Sequence, residues 1–404
     1  MFTIVIIQMF TFVTMAKTID KKEINFLYEM HREDSIFGRY VHNDFISKWL
    51  KKISDFRSLN GLQIEVEVLG RSVEKRDIIS LTLGNGPTKL LMWSQMHGNE
   101  STTTKAVIDF VNLLLDSSAI SSTILENCQI KVIPILNPDG AVAYTRLNAN
   151  KVDLNRDAQD LSQPESKILR ELFNDFKPHY CFNLHGQRSI FGAGHTGHPA
   201  VVSFLSPAVD ESRAITETRK IAMELIAEMN AVLQNEIPHQ VGVYDDSFNH
   251  NCVGDTFQSL NVPTILFEAG HINNDYEREI TRYHIFKALL TAVNYISRNS
   301  VDGKNFEPYL EIPENQKCFF DIIIRKTKLG DIAIQYEERL ADGILNFVPV
   351  VSKIGNLKEF YGHCEIDAKG LKGLKVDKSD IRINSEIDFV MINNEKFALK
   401  PKIN

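Results

Sequence analysis

The chain has 404 residues, of which 43% are hydrophobic and 24% charged, values that exclude a mostly disordered or collagen-like protein and allow one large domain plus a small one. Lys and Arg number 45 against 52 Asp and Glu, a net charge of -7, which argues against a nucleic-acid partner because phosphate binding needs a concentrated positive surface. Five cysteines (Cys128, Cys181, Cys252, Cys318 and Cys364) are odd in number and lack any Cys-x-x-Cys spacing, so neither a disulfide scaffold nor a thiolate zinc site is expected, but buried thiols in a reducing compartment.

The first sixteen residues, MFTIVIIQMFTFVTMA, are apolar enough for a signal core, and Thr14-Met15-Ala16 loosely resembles a cleavage site. No Lys or Arg precedes the run, and it falls short of the roughly 18 residues of a membrane span. A start at Met15 is the other reading. Residues 1–19 are therefore set apart. The expected location is cytoplasmic with no clear membrane partner, the alternative being export or anchoring through residues 1–16.

Residues 20–60 read as polar helical segments. Leu62, Ile64, Val66 and Val68 then alternate with polar residues, the period of a half-buried strand. A second strand over 77–83 ends in the turn Gly84-Asn85-Gly86-Pro87, and LLMWSQ (90–95) reads as a strand buried on both faces. A helix follows over 101–115, with Val107, Val111 and Leu114 along one stripe. The unit then recurs. Strands are expected at 129–136, 180–184 and 263–269. Helices are expected from the capping box Ser162-Gln163-Pro164-Glu165 to Phe176, from Asp210 to about Glu236, and from about Asp275 to Arg298. Such alternation predicts an α/β domain over 20–300, a mixed and mostly parallel sheet sandwiched by helices. A polar Pro- and Gly-bearing link follows, and 310–404, with runs such as CFFDIIIRK, GDIAIQYEE and EIDFVMI, reads as a small β-rich C-terminal domain.

Three chemically capable sites fall at the C-terminal ends of predicted strands, where open α/β sheets bind ligands. They are His97-Gly98-Asn99-Glu100 after LLMWSQM, His185 in NLHG, and Glu268 in LFEAGH. Two His and one Glu form the ligand set of a catalytic zinc with a position open for water, and a further carboxylate can serve as base. A lone strand-end His is more often a hydrogen-bonded structural residue, and a lone buried Glu a helix cap. All of them at equivalent strand ends are hard to explain as packing, because burying such groups without partners is costly.

Asn137-Pro138-Asp139-Gly140, Arg146 and Val152-Asp153-Leu154-Asn155-Arg156 lie between these sites. Together with the His-x-x-Glu, this set resembles the zinc carboxypeptidase family, the carboxypeptidase A and B type metallopeptidases, over roughly residues 62–298. The segment Leu69-Gly70-Arg71-Ser72 fits the same pattern. The resemblance implies one Zn2+ held by His97, Glu100 and His185, and Glu268 as catalytic acid-base. It implies Arg146 polarising the scissile carbonyl, Asn155 and Arg156 anchoring the terminal carboxylate of a peptide substrate, and Tyr244 as the mobile tyrosine, with Tyr144 and Tyr276 as alternatives. The chain departs from the pattern after the Asn-Arg pair, where Asp157-Ala158-Gln159 replaces the usual Asn and aromatic. That departure puts the shape of the carboxylate pocket in question.

The loop 242–258 is expected to line the side-chain pocket. Asp245, Asp246 and Asp255 there would either draw in a basic C-terminal residue or remain solvated loop acids. His195, His198 and His271 are expected in structural or substrate-contact roles rather than at a second metal. The expected activity is hydrolysis of the C-terminal peptide bond. An N-acyl amino acid deacylase of the aspartoacylase and succinylglutamate desuccinylase kind is the first rival, and a non-catalytic peptide-binding relative the second.

Overall fold

The computed structural model describes residues 20–60, 64–368, 375–376, 381–392 and 395–401. Leu62 and the apolar segment at 1–16 lie outside these. Two N-terminal helices, α1 (Lys21–His31) and α2 (Asn43–Asn60), precede strands β1 (Ile64–Arg71), β2 (Asp77–Leu83) and β3 (Thr88–Ser94). Then come α3 (Thr102–Leu114), α4 (Ala119–Asn127), β4 (Cys128–Ile133), α5 (Pro138–Ala143), α6 (Pro164–Phe176), β5 (Tyr180–Gly186), β6 (Phe191–Ala193) and β7 (Val202–Leu205). The unit closes with α7 (Glu217–Leu233), β8 (Val241–Val243), α8 (Val253–Ser259), β9 (Thr264–Ala269) and α9 (Glu279–Arg298). An eight-stranded sheet runs in the order β1-β2-β4-β3-β5-β9-β7-β8. Its central strands β4, β3, β5 and β9 are mutually parallel, while β1, β2 and β7 join antiparallel. The mixed, helix-flanked sheet expected from the sequence is the one observed.

Period-two alternation explains how this sheet is buried on both faces. On β3, Leu90 and Met92 join the core built with α3, α7 and α9, while Leu91 and Trp93 face the smaller core of Leu169, Phe173 and Phe257 from α6 and α8. The central strands should then be largely apolar, and they are, apart from Gln129 and Lys131 on β4 and polar residues such as Asn183 on β5. Among the described residues no single helix is long and apolar enough to cross a membrane. All five cysteines are free. Cys128, Cys181 and Cys318 are buried, whereas Cys252 is half-buried and Cys364 exposed.

Three expectations need correction. Val66 and Val68 do not form a half-buried face: both are exposed, because β1 is the sheet edge and of its residues only Ile64 is fully buried. The long helix starts at Glu217 rather than Asp210, where the Thr216 hydroxyl accepts the Arg219 N–H and sets the cap. The capping box at 162–165 does not form. Gln163 is the N-cap of α6 without a side-chain cap bond, and Ser162 is drawn to Asp157 instead. The Asp157 carboxylate accepts from Ser162 N (2.9 Å), Ser162 Oγ (2.7 Å) and Gln163 N (2.9 Å). Asp157, which replaces the resembled family's Asn, thus anchors the start of α6. Asp157→Ala should cost about 1–2 kcal/mol. A urea midpoint unchanged from wild type would show that the anchor is dispensable.

The C-terminal part begins with β10 (Asn315–Lys317), paired antiparallel with β6. Strands β11 (Phe319–Thr327), β12 (Gly330–Ala341), β13 (Ile344–Gly355) and β14 (Tyr361–Asp367) form a separate sheet in the order β13-β12-β11-β14. Three further strands, β15 (Lys375–Val376), β16 (Phe389–Ile392) and β17 (Glu395–Ala398), form another. The link before them is packed rather than loose: Val301, Tyr309 and Ile312 are buried in the main core. Polar contacts fasten the four-stranded sheet to the main unit. Glu338 binds Arg39 and accepts from the Tyr144 hydroxyl (2.5 Å). His363 bridges Asn273 Oδ1 (2.9 Å) and the Ser189 carbonyl (2.8 Å).

Candidate active site

Parallel register places the site. Within the sheet His185 on β5 lies directly beside Glu268 on β9, and β3 ends at Ser94, next to Leu184. The chain then turns sharply through Gln95, whose φ of 51° is left-handed. The Gln95 amide secures this strained step, donating to the carbonyls of Val41 (2.8 Å) and Gly98 (2.7 Å) and accepting from Thr104 Oγ1 (2.9 Å). His97 is thereby aimed across the strand ends, and Glu100 follows one turn later, its N–H bonded to the His97 carbonyl.

The NPDG turn is the scaffold beneath this loop. Asn137 donates to the Met96 carbonyl (3.1 Å) and accepts the Gly140 N–H (2.9 Å). Asp139 accepts from Ser72 Oγ (2.7 Å), Glu74 N (2.9 Å) and Arg76 Nη1 (2.7 Å), tying in the Leu69–Ser72 segment. Gly98 packs so closely on Gly140 that a Cβ there would lie 1.9 Å from the Gly140 carbonyl carbon.

His97, Glu100 and His185 form one cluster, their ligand atoms all within 4.8 Å of one another. His97 Nδ1 is 2.9 Å from Glu100 Oε1, His185 Nδ1 is 3.0 Å from Glu100 Oε2, and the two Nδ1 atoms are 3.1 Å apart. His97 Nε2 meets Asp153 Oδ1 at 3.1 Å. With that N–H given to Asp153, neutral His97 turns its Nδ1 lone pair towards a carboxylate and a second imidazole nitrogen. A cation between them resolves the repulsion, and two imidazoles with a carboxylate are a zinc donor set. The residues fit the metal. Asp153 supports it from behind, a role that the sequence reading did not assign, although the residue stands in the motif it quoted.

Charges respond accordingly. Burial works against ionising Glu100, but His97 and His185 outweigh it and hold the carboxyl far below its usual range. Burial likewise opposes protonation of His97, yet Glu100 and Asp153 together push its pKa up. At His185 burial dominates and lowers it. Glu268 goes the other way: burial first, then the Glu100 charge, raise its pKa well above the ordinary glutamate value. Tyr244 is also raised, by burial and by Glu268.

One cleft of about 410 Å³ is lined by all eight residues singled out from the sequence: His97, Glu100, His185, Arg146, Asn155, Arg156, Tyr244 and Glu268. Arg146 bridges Asp153 Oδ2 (3.0 Å) and Glu100 Oε1 (3.3 Å). Asp153 caps the short turn Leu154–Arg156 by accepting the Asn155 N–H (2.9 Å), and Asn155 Oδ1 accepts from Val253 N (2.9 Å). Arg156 donates to the Asn155 carbonyl (2.7 Å) and contacts Cys252 Sγ (3.1 Å). The alternatives to Tyr244 lie elsewhere, since the hydroxyls of Tyr144 and Tyr276 are bound to Glu338 and Asp321 of the C-terminal sheet. Of the three loop acids, Asp245 and Asp255 line the cleft, whereas Asp246 is paired with Arg213 and Arg219. Burial raises the Asp255 carboxyl to about 6. His195 and His198 do not line the cleft. His271 is buried against Tyr276 and His363, 4.5 Å from each ring.

Sheet and cluster define a class: an α/β protein with a metal-type ligand set at its strand ends and a cationic clamp beside it. Residues 48–181 match the family model described as zinc carboxypeptidase. The chain is 32% identical over 99 residues to carboxypeptidase 2 of Trichophyton rubrum, covering 24% of this chain and 18% of that protein. It is 27% identical over 166 residues to carboxypeptidase SOL1 of Arabidopsis thaliana, covering 36% and 33%. The chain thus spans about a fifth to a third of the length of these curated relatives. The crystal structure of a "Putative carboxypeptidase A" from Shewanella denitrificans superposes with a TM-score of 0.51 at 20% identity, over 62% of this chain and 69% of that one. This likeness is one of fold.

Proposed function

We propose that this chain is a zinc-dependent metallocarboxypeptidase that hydrolyses the C-terminal peptide bond of peptides. The meeting of the His97–Glu100–His185 cluster, the Glu268 carboxylate and the Asn155–Arg156 pair in one cleft carries this reading. When bound, zinc polarises a carbonyl as a Lewis acid and brings the acidity of water near neutral pH. The chain's own groups do the rest. Arg156 grips the terminal carboxylate through its planar fork, which suits a carboxylate better than an ammonium would. Asn155 has its oxygen committed to Val253, so its amide N–H groups remain for the same carboxylate. Arg146 stands where charge develops on the scissile carbonyl oxygen and stabilises it. Glu268, its proton affinity raised by burial, takes a proton from water and returns it to the leaving nitrogen. Tyr244 keeps its phenolic proton and serves as a hydrogen-bond donor to the substrate.

The test compares each peptide with its C-terminal amide on zinc-loaded protein. Free acids should be cleaved with release of single C-terminal residues, and amides poorly or not at all. Arg156→Ala should raise KM for the free acids about ten- to a hundredfold, the worth of a charged hydrogen bond, with a smaller effect on kcat. Equal cleavage of acid and amide by wild type would remove the clamp and the exopeptidase reading together.

A further inference from the structure

A second cavity, of about 390 Å³, adjoins the His97–Glu100–His185 cluster at Glu100. It shares Glu100, Gly186, Gln187 and Arg188 with the catalytic cleft but none of the Asn155–Arg156 clamp. Its other walls come from Arg39, Asn99, Arg278 and the C-terminal strand β12 through Tyr336, Glu337 and Glu338. A substrate held by its terminal carboxylate at Arg156, with its scissile bond at the cluster, must leave on the side away from the clamp. This cavity borders the cluster without touching the clamp and so can receive that part of the substrate.

Cations dominate what is left unpaired there. Arg278 is 3% exposed, yet its guanidinium binds only neutral carbonyls, those of Ala269 (3.1 Å) and Gln187 (3.2 Å), and its Nε has no partner. The nearby acids are engaged elsewhere. Glu338 is bound by Arg39 and Tyr144, Glu337 by Arg339, and Asp275 by the N–H groups of Ile280 and Thr281 and the Thr281 hydroxyl. Arg188 is exposed and makes no hydrogen bond or ion pair among the described residues. Asn99 adds a buried side-chain oxygen that lacks a donor. A buried, incompletely satisfied guanidinium beside a free one is costly unless an anion completes it.

We propose that this cavity takes a carboxylate carried by the substrate on the amino side of the scissile bond, held by Arg278 and Arg188, with a substrate N–H reaching Asn99. The inference rests on the carboxypeptidase reading for the direction of the bound chain. The preferred substrates would then be peptides with an acidic residue close to the C-terminal one.

The experiment uses four-residue peptides with free C-termini that differ only by Glu or Gln at the penultimate or the preceding position. Both kcat/KM on zinc-loaded wild type and Kd on zinc-loaded Glu268→Gln are measured. Glu should be preferred over Gln by about ten- to a hundredfold at one of the two positions, in Kd as well as in kcat/KM. Arg188→Glu, which removes no internal partner and so leaves the fold intact, should erase or invert the preference. Equal Kd for the Glu and Gln peptides at both positions overturns the subsite, as does an undiminished preference in Arg188→Glu. If no peptide is cleaved while the Kd difference persists and follows Arg188, the subsite stands and the carboxypeptidase reading falls.

Discussion

Glu268→Gln should turn over peptide at least about a hundredfold more slowly than wild type, within the roughly 100- to 10,000-fold range for loss of a general acid-base. The substitution keeps the shape of the side chain and its place beside His185 in the sheet, so zinc content and product affinity should be retained. What disappears is the proton. A carboxyl whose proton affinity is lifted by burial and by the Glu100 charge can accept a proton and return it, whereas an amide cannot. Steady-state rates, paired with metal analysis of the same preparation, give the answer. A variant within tenfold of wild type would remove Glu268 from the chemistry and leave it a buried polar residue at a strand end.

His185→Ala should lose stoichiometric zinc altogether and fall to background activity, because two donors from one loop cannot close the site. The ring ends a central strand but faces the cleft, so the sheet should survive and the melting temperature of the metal-free protein should change little. Asp153→Asn is the graded counterpart. It keeps both imidazoles and the carboxylate but withdraws the charged acceptor behind His97, and supporting groups of this kind are worth about 10- to 100-fold in metal affinity. Competition with a chelator measures both variants on one scale. If His185→Ala keeps tight zinc, the ligand assignment is wrong. If the two variants lose affinity equally, Asp153 is itself a ligand.

The central strands were legible because burial on both faces leaves runs that no amphipathic helix would show. LLMWSQ and YCFNL are of this kind, and their ends located His97 and His185. Strands β7 and β8 were missed, since four and three buried residues are too few to display a period. The exposure of Val66 and Val68 was not foreseen, because alternation reports which residues share a face but not whether anything covers it. The capping box failed for a related reason. A local motif competes with distant partners, and Asp157 outbid Glu165 for Ser162, while Glu165 went to Asn148 (3.2 Å) and Val73 N (3.3 Å). Site residues carried by motifs were named. The Arg188 and Arg278 pair, assembled from segments ninety residues apart and roofed by β12, left no spacing to find.

The contact between Gly98 and Gly140 bears on how such a protein can be rebuilt. The loop bearing two proposed ligands lies against the backbone of the NPDG turn, so it cannot gain a side chain at Gly98 unless that turn gives way. A chimera that imports residues 95–100 from a relative should fold only if residues 137–141 come with them. The two stretches, far apart along the chain, are a single heritable part.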